Sequence, residues 1–208
     1  MIIKKEIYPK TQRLKCAGTK VQITEKLDGS NLVIFKLNNM LHIAQRKSII
    51  RYDELDTYQS GLYKGLYQWL KDNYDELNTI HDGSAICGEW LGMGCLKYTI
   101  DEFDKRFYIF AKANIDDTYT LTNLMYNHDL FIYPFENQEI PKCIGIVPIV
   151  ADIKHIPDKH YLDVLYQKYC EDVCRNVEGF VVNYNNMINK YVRMKNGKLQ
   201  EHFDREEK

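Results

Sequence analysis

Residues 25–31 have the types and spacing of a nucleophilic site. Lys26 ends a run of alternating apolar and polar residues, and Asp28, Gly29 and Asn31 follow it closely. A lysine amine attacks only when it is deprotonated, so a nucleophilic lysine needs desolvation or cationic neighbours. Gly29 lets the backbone approach a phosphorylated ligand, or it simply forms a turn. The segment alone is equally typical of a surface hairpin turn. Whether it is a nucleophilic site therefore depends on whether the rest of the chain supplies partners for Lys26.

Composition indicates a globular protein without a strong overall charge. The 208 residues are 45% apolar and 27% charged, with a net charge of -1, which suits one large domain or two small ones. Any nucleic-acid surface must therefore be local. No apolar run is long enough to span a membrane, and the N-terminus lacks the pattern of a signal peptide. Six dispersed cysteines favour buried, reduced thiols and a cytoplasmic location.

Hydrophobic periodicity predicts strands on both sides of the Lys26 segment and a mixture of strands and helices beyond it. Apolar alternation and short apolar runs predict strands at 21–25, 32–37, 40–46, 85–92, 107–111, 146–150, 177–182 and 190–195. Spacings of three and four residues predict helices at 61–80, from Pro157 to Val173, and near 121–126. Residues 38–39 are a turn signal, and residues 183–189 read as a polar loop.

Charged residues interrupt or end several of these strands. Besides Lys26 and Asp28 they are Arg46, Glu89, Glu178, Arg193 and Lys195. Singly, each reads as a solvent-facing charge on a surface strand. Together they supply what nucleotidyl transfer requires: a lysine nucleophile, cations for a triphosphate, a carboxylate for a sugar hydroxyl and another for a divalent metal.

Five short motifs, in this order, resemble those of the covalent nucleotidyltransferases, the superfamily of DNA ligases, RNA ligases and mRNA capping enzymes. They are Lys26-Leu-Asp-Gly, Gly88-Glu-Trp, Phe107-Tyr-Ile-Phe, Glu178-Gly-Phe-Val and Arg193-Met-Lys. The residues flanking Lys26 and the run Gly-Glu-Trp-Leu-Gly are most similar to ATP-dependent RNA ligases of the RNA ligase 2 type. The resemblance covers residues 20–198. It implies an α+β fold in which two antiparallel β-sheets with flanking helices form a nucleotide-binding cleft, as in ATP-grasp-like adenylation domains.

The resemblance implies that Lys26 attacks the α-phosphate of ATP, expels pyrophosphate and carries AMP through a phosphoramide bond. Glu178 matches the acid that the family associates with a divalent metal, Mg²⁺ or Mn²⁺. Arg193 and Lys195 match residues that contact the α-phosphate and stabilise charge in the transition state. These cations and the metal would also favour the neutral, attacking form of the lysine amine.

Other matched residues would hold the nucleotide. Glu25 and the adjoining backbone would line the adenine pocket, Glu89 would bind the ribose hydroxyl, and Phe110 would stack on adenine. Arg46 would meet the nucleotide phosphate or the incoming RNA end, and Asn31 matches a position linked to the later, RNA-joining steps. The implied nucleotide-binding set is Glu25, Asp28, Gly29, Asn31, Arg46, Glu89, Phe110, Arg193 and Lys195. Two interpretations of Asp28 remain open. In the first it orients Lys26 or binds the metal, and in the second its side chain caps local N–H groups in a turn.

The chain departs from the family pattern in sequence and in length. Arg193 replaces a lysine, and it keeps the positive charge. Asn183 and Ala111 stand where a basic residue and an aspartate are common, which leaves the efficiency of the later steps open. Family members usually append a further domain, whereas residues 1–208 are predicted to form a single nucleotidyltransferase domain without one. RNA would then be held by the domain's own surface or by a protein partner that replaces the absent domain.

The expected activity is that of an ATP-dependent RNA ligase acting in RNA repair. It would join 5′-phosphate and 3′-hydroxyl RNA ends through lysyl-AMP and an adenylylated RNA end. DNA nick sealing and GTP-dependent capping remain alternatives within the superfamily. A nucleotide- or RNA-end-binding subunit without turnover is an alternative from another class. The resemblance also suggests a phage or other viral source acting inside a host cell.

Overall fold

The computed structural model describes most of the chain from residue 21 to residue 195. The described residues are 12–13, 21–53, 63–92, 94, 96, 98–126, 128–184, 187–195 and 198–199. Two compact units are present, and the first comprises Gly29–Gly94 and Tyr98–Ile146. The second unit contains three groups of described residues: those up to Asp28, the single residue Leu96, and those from Val147 onward.

Strands dominate both units, with three α-helices and a 3-10 helix at His128–Leu130 among the described residues. The strands are β1 (Gln12–Arg13), β2 (Val21–Lys26), β3 (Ser30–Leu37), β4 (Met40–Gln45), β5 (Ser48–Arg51), β6 (Ser84–Trp90), β7 (Phe107–Ile115), β8 (Leu121–Met125), β9 (Ile144–Ile146), β10 (Ile149–Ile153), β11 (Gly179–Tyr184), β12 (Met187–Val192), β13 (Met194–Lys195) and β14 (Lys198–Leu199). The α-helices are α1 (Leu66–Asp72), α2 (Tyr74–Leu77) and α3 (Lys159–Val173). None of the described helices is both long enough and apolar enough to cross a membrane.

The first unit is built on a sheet with the order β5-β4-β3-β6-β7-β8, and β9 adds a parallel pairing to β7. The other neighbours are antiparallel. Asn38 and Asn39 both have positive φ, 53° and 59°, which is the conformation that a two-residue hairpin turn requires. The predicted hairpin of β3 and β4 is therefore confirmed.

Helices α1 and α2 pack on one face of this sheet. Leu66, Leu70 and Leu77 contact a buried cluster that includes Trp90 and Phe107. The predicted helix at 61–80 is thus present but interrupted, because Asn73 separates α1 from α2 with φ -118°. Its side-chain amide donates a hydrogen bond to the carbonyl of Trp69 at 2.7 Å, and such side-chain bonds compete with helical backbone bonding.

The helix predicted near 121–126 is wrong, because this segment is strand β8. The pairing of β8 with β7 shifts register between Lys112 and Asn114, and Asn123 has φ 52°. A β-bulge adds one residue to a strand. The extra residue turns the period-two pattern of Leu121, Leu124 and Met125 into spacings of three and four, which is why the sequence resembled a helix.

The second unit contains a sheet with the order β1-β12-β11-β2-β10. Helix α3, predicted correctly, packs Leu162 and Tyr166 against one face, where they meet Ile23, Phe180 and Tyr191 in a buried cluster. All neighbours in this sheet are antiparallel except β1 and β12. The predicted class of two largely antiparallel sheets with flanking helices is therefore confirmed.

Several strand boundaries in the second half of the chain differ from the prediction. The strand predicted at 146–150 is two strands, β9 and β10, separated by residues 147–148. Pro148 has no N–H for a ladder, and its carbonyl accepts the N–H of Glu25 at 2.9 Å. The predicted loop at 183–189 is largely strand, because Asn183 and Asn189 continue the alternation of β11 and β12. The strand predicted at 190–195 ends at Val192.

Gly179 allows three strands to meet at one point, and it gives the first prediction. It pairs with Lys26 on β2 and Val192 on β12, has φ +154°, and a Cβ there would lie 1.9 Å from the carbonyl oxygen of Tyr191. We expect Gly179→Ala to lower the free energy of unfolding through this clash in addition to backbone strain. Gly65→Ala is the matched control, since Gly65 has φ +81° but no atom within 4 Å of a Cβ.

The expected difference is that Gly179→Ala loses about 1–3 kcal/mol more than Gly65→Ala, the usual cost of overpacking. Urea unfolding of the two variants and the unsubstituted chain measures it. Equal losses would contradict the steric explanation and leave backbone strain alone.

Candidate functional site

Lys26 and Glu178 are in contact at the ends of two paired strands. Lys26 is the last residue of β2 and lies opposite Gly179, the first residue of β11. Glu178 directly precedes Gly179, and its Oε2 accepts a hydrogen bond from Lys26 Nζ at 2.5 Å. The exposed fractions are 25% for the lysine side chain and 16% for the glutamate, so both are accessible to a ligand but well shielded. Two of the charged residues selected from the sequence are therefore brought together.

The carboxyl group of Glu178 is in an environment that disfavours its negative charge. Burial raises its pKa above the ordinary value, and this outweighs the attraction of Lys26. Asp28 raises the pKa further, whereas Lys190 lowers it. An additional cation beside Glu178 would therefore stabilise the carboxylate.

The donor set at this point suits a divalent metal that also binds phosphate. The described residues include no group of three or more His, Cys, Asp or Glu arranged to hold a metal. Mg²⁺ bound with nucleotides commonly takes only one or two carboxylates, and phosphate oxygens and water complete its coordination. Glu178, with Asp28 nearby, meets that requirement. Asp28 also accepts the backbone N–H of Leu96 at 2.7 Å, which agrees with the loop-capping reading.

Glu25 lies on the opposite face of β2 from Lys26, because neighbouring residues of a strand alternate. Its side chain is fully buried, and its Oε1 and Oε2 each accept a hydrogen bond of 2.6 Å from the guanidinium of Arg175. Tyr169 donates a third, at 2.8 Å. Burial and the adjacent Glu25 raise the pKa of Tyr169. The carboxylate thus joins β2 to the end of α3, and its adenine-binding role stays a prediction.

Arg193 is also held by α3. Its backbone N–H donates to the carbonyl of Glu178 at 2.8 Å, and its guanidinium donates to Asp163 Oδ1 at 3.2 Å. The guanidinium also lies over the ring of Tyr166, 5.7 Å from its centre. Tyr191 donates to the same Asp163 oxygen at 2.5 Å. The buried Nε of Arg193 has no hydrogen-bond partner among the described residues, and the backbone of Lys195 is in β13 while its side chain lies outside the description.

In the first unit, Gly29, Asn31 and Glu89 form a second group. Asn31 on β3 lies opposite Glu89 on β6, and Glu89 Oε1 accepts the backbone N–H of Gly29 at 3.1 Å. A Cβ on Gly29 would lie 2.5 Å from the carbonyl oxygen of Trp90, so this position requires glycine. The buried Oδ1 of Asn31 has no hydrogen-bond partner within the described part of the chain.

Phe110 and Arg46 occupy other parts of the same sheet. The β6–β7 register shifts so that Cys87 pairs with Ala111 and Gly88 pairs with Ile109, which leaves Phe110 as the extra residue of a bulge. Bulges redirect side chains and are common beside active sites. Arg46 is exposed in the turn after β4, two strands from β6. The nucleotide-binding roles of both residues stay predictions.

The sequence reasoning missed the charged and aromatic partners that hold these residues. Asp163, Tyr169 and Arg175 belong to α3 or follow it, and Lys190 lies on β12. The helical period placed Tyr169 on the apolar face, but an aspartate in a helix normally reads as a solvated charge. The sequence indicates Lys190 only as a cation that could contact RNA, at the start of the strand predicted at 190–195, and no motif links it to Glu178.

Removal of Arg175 gives the second prediction. Arg175→Met leaves the Glu25 carboxylate buried without its cation, and we expect a loss of about 3–5 kcal/mol in the free energy of unfolding. Lys105→Met breaks the surface pair with Asp104, whose side chain is 66% exposed, and should leave the free energy of unfolding nearly unchanged, because solvent screens exposed ion pairs. Urea unfolding measures both.

A double variant isolates the unpaired charge as the cause. Glu25→Gln combined with Arg175→Met removes the carboxylate together with its partner, so it should lose less stability than Arg175→Met alone. A double variant that is less stable than Arg175→Met would show that packing, and not the uncompensated charge, dominates.

Comparisons with known proteins identify the family and the fold of this chain. A family model for RNA ligase matches residues 19–196, whereas a search of curated proteins found no match. Solved structures of Naegleria gruberi RNA ligase share the fold: a variant with ATP and Mn has a TM-score of 0.55 at 15% identity, covering 91% of this chain and 59% of that chain. A variant with AMP and Mn has a TM-score of 0.51 at 16% identity, covering 84% and 50%. The chain spans between half and three fifths of these solved ligases, and with 19–196 matched by the family model it belongs to the RNA ligase family.

Proposed function

We propose that residues 1–208 form the nucleotidyltransferase domain of an ATP-dependent RNA ligase and that Lys26 is its nucleophile. The contact of Lys26 Nζ with Glu178 at 2.5 Å carries the proposal. This contact brings together two groups in a chain of the RNA ligase family. One is an amine that can bond covalently to AMP, and the other is a carboxylate suited to a metal. Lys36 and Lys105 also pair with a carboxylate. Neither lies at the end of β2, where the matched motif places the nucleophile.

The proposed first step is adenylation of Lys26. Nζ attacks the α-phosphorus of ATP, a P–N bond forms, the bond to the β-phosphate oxygen breaks, and pyrophosphate leaves with the electron pair. Nζ must be deprotonated to attack, so it gives up its pairing with Glu178 and its proton passes to solvent. AMP would then pass to the 5′-phosphate of an RNA end, and a 3′-hydroxyl would displace it.

Glu178, assisted by Asp28, is the proposed holder of Mg²⁺ or Mn²⁺. Such a metal, when bound, neutralises phosphate charge that would otherwise repel the nucleophile. The solved Naegleria ligase variants with ATP and Mn or with AMP and Mn support this assignment. The raised pKa of Glu178 supports it as well, because a carboxylate whose charge is disfavoured by burial gains from a cation.

The remaining contacts are assigned by their chemistry. Glu89 would accept a hydrogen bond from a ribose hydroxyl, and Gly29 would let the backbone approach the nucleotide. The buried side-chain oxygen of Asn31, Oδ1, would be a further hydrogen-bond acceptor. Phe110 would stack on adenine, and Glu25 with its adjoining backbone would line the adenine pocket. Arg46, Arg193 and Lys195 would bind phosphate, and Arg193 would exchange Asp163 for a phosphate oxygen. RNA ends are the proposed substrates, held by this surface or with the help of a protein partner.

Covalent labelling tests the first step and gives the third prediction. Incubation with Mg²⁺ and α-labelled ATP should label the chain, and α-labelled GTP should not. Lys26→Ala should abolish labelling because no amine remains. Lys26→Arg is the matched control: it keeps a cation beside Glu178 but lacks the amine that forms a stable phosphoramide, so it should also stay unlabelled. Labelling of either variant would remove Lys26 as the nucleophile, and labelling by GTP alone would indicate capping chemistry.

Substrate choice gives the fourth prediction. Three substrates are offered: nicked duplex RNA, single-stranded RNA with a 5′-phosphate, and nicked duplex DNA. We expect the chain to seal at least one of the two RNAs, and to seal that RNA better than the DNA. Denaturing gel electrophoresis of end-labelled strands measures it. Sealing of DNA alone would overturn the RNA assignment, and labelling without any sealing would favour an end-binding subunit.

A further inference from the structure

One face of the second unit's sheet carries a cation besides Lys26. Val181 lies two residues after Gly179 on β11, and it pairs with Lys190 on β12. Residues opposite one another, and residues two apart along a strand, point to the same face. Because Lys26 pairs with Gly179, Lys26, Val181 and Lys190 share a face. The intervening Phe180 and Tyr191 are in the buried cluster with α3, which confirms the alternation.

Lys190 is one of the charged groups close enough to Glu178 to act on its carboxyl group electrostatically. It is half-buried. A lysine side chain is long enough to extend past the residue at its strand position. Two ammonium groups, on β2 and on β12, therefore act on one carboxylate at the start of β11.

The charge of this group changes during the proposed reaction. Formation of the P–N bond removes the positive charge of Lys26, while the phosphate of the attached AMP keeps a negative charge. A metal at Glu178 would at the same time occupy the carboxylate that Lys190 acts on. Lys190 is a cation on the face that carries Lys26, and an ammonium group forms strong hydrogen bonds with phosphate oxygens.

We propose that Lys190 is a further phosphate-binding residue of this site, and that its ammonium group contacts a phosphate oxygen of the nucleotide. This inference rests on the proposed function, since it places the nucleotide on the Lys26 face. It adds a β12 cation to the residues that the sequence motifs identified.

Equilibrium binding of the α,β-methylene analogue of ATP, which does not transfer AMP, tests the contact without turnover. A charged hydrogen bond is worth on the order of a 10- to 100-fold change in affinity, so Lys190→Met should raise Kd by about that factor. Lys190→Arg should stay close to the unsubstituted chain. Lys168→Met is the matched control, because Lys168 is exposed on α3 and should not change Kd.

A relocated cation separates charge from packing. Asn183 lies on the same face as Val181, opposite Ile188, and is thus diagonal to Lys190. Adding Asn183→Lys to Lys190→Met should recover part of the lost affinity, which a packing role for the Lys190 stem would not allow. Urea unfolding of each variant checks that the fold is retained.

The outcomes distinguish this inference from the proposed function. If the unsubstituted chain is labelled by ATP and Lys190→Met binds the analogue equally well, the Lys190 contact is overturned and the ligase proposal stands. If the chain binds the analogue and Lys190→Met weakens binding but no labelling occurs, the contact stands and the ligase proposal fails. If the unsubstituted chain does not bind the analogue, the Lys190 contact is overturned, and labelling by ATP alone decides the ligase proposal.

Discussion

The antiparallel pairing of β2 with β11 determines which charges meet in the second unit. It sets Lys26 opposite Gly179, so that Glu178 reaches the amine while Glu25 points to α3. A slip of one residue would send each side chain to the other face. Lys26 would then enter the apolar cluster, and Glu25 would leave Arg175 and Tyr169. Because a buried charge without its partner costs several kcal/mol, the adjacent residues Glu25 and Lys26 fix the register from opposite faces of one strand.

Helix α3 contributes to the candidate site by holding charged groups rather than by contacting Lys26. Residues of α3 and the turn after it bind Glu25 on β2, and Asp163 binds Arg193 just after β12. Strand β11 lies between β2 and β12, so both of its neighbours are tied to the same helix. Buried ion pairs often add little net stability compared with apolar packing. Their consequence here is geometric, since they fix the strands whose ends carry Lys26 and Arg193.

The sequence was sufficient for features that depend on local periodicity and short motifs. Strands β2, β3, β4, β6 and β11 and helix α3 follow from apolar alternation or helical spacing, and the motifs selected Lys26 and Glu178, which are in contact. Bulges defeat such reasoning, because one inserted residue changes the period; Phe110 and the segment at 121–125 both show this. The bond between Glu25 and Arg175 joins residues 150 positions apart, and no local pattern encodes which distant cation a buried acid will select.

The near-neutral charge of the chain is consistent with a phosphate site made of compensated pairs. Lys26 and Lys190 act on Glu178, and Asp28 lies close to the same carboxyl group; these four side chains nearly cancel one another. Such a group produces little field beyond the screening length of physiological salt, so it would attract few anions from a distance. Binding would instead exchange partners, since a metal would take the carboxylates and a phosphate oxygen would take the ammonium group of Lys190. Recognition on this basis would depend on ligand geometry, because a ligand that brings both phosphate and metal offers a partner to the cation and to the carboxylates at once.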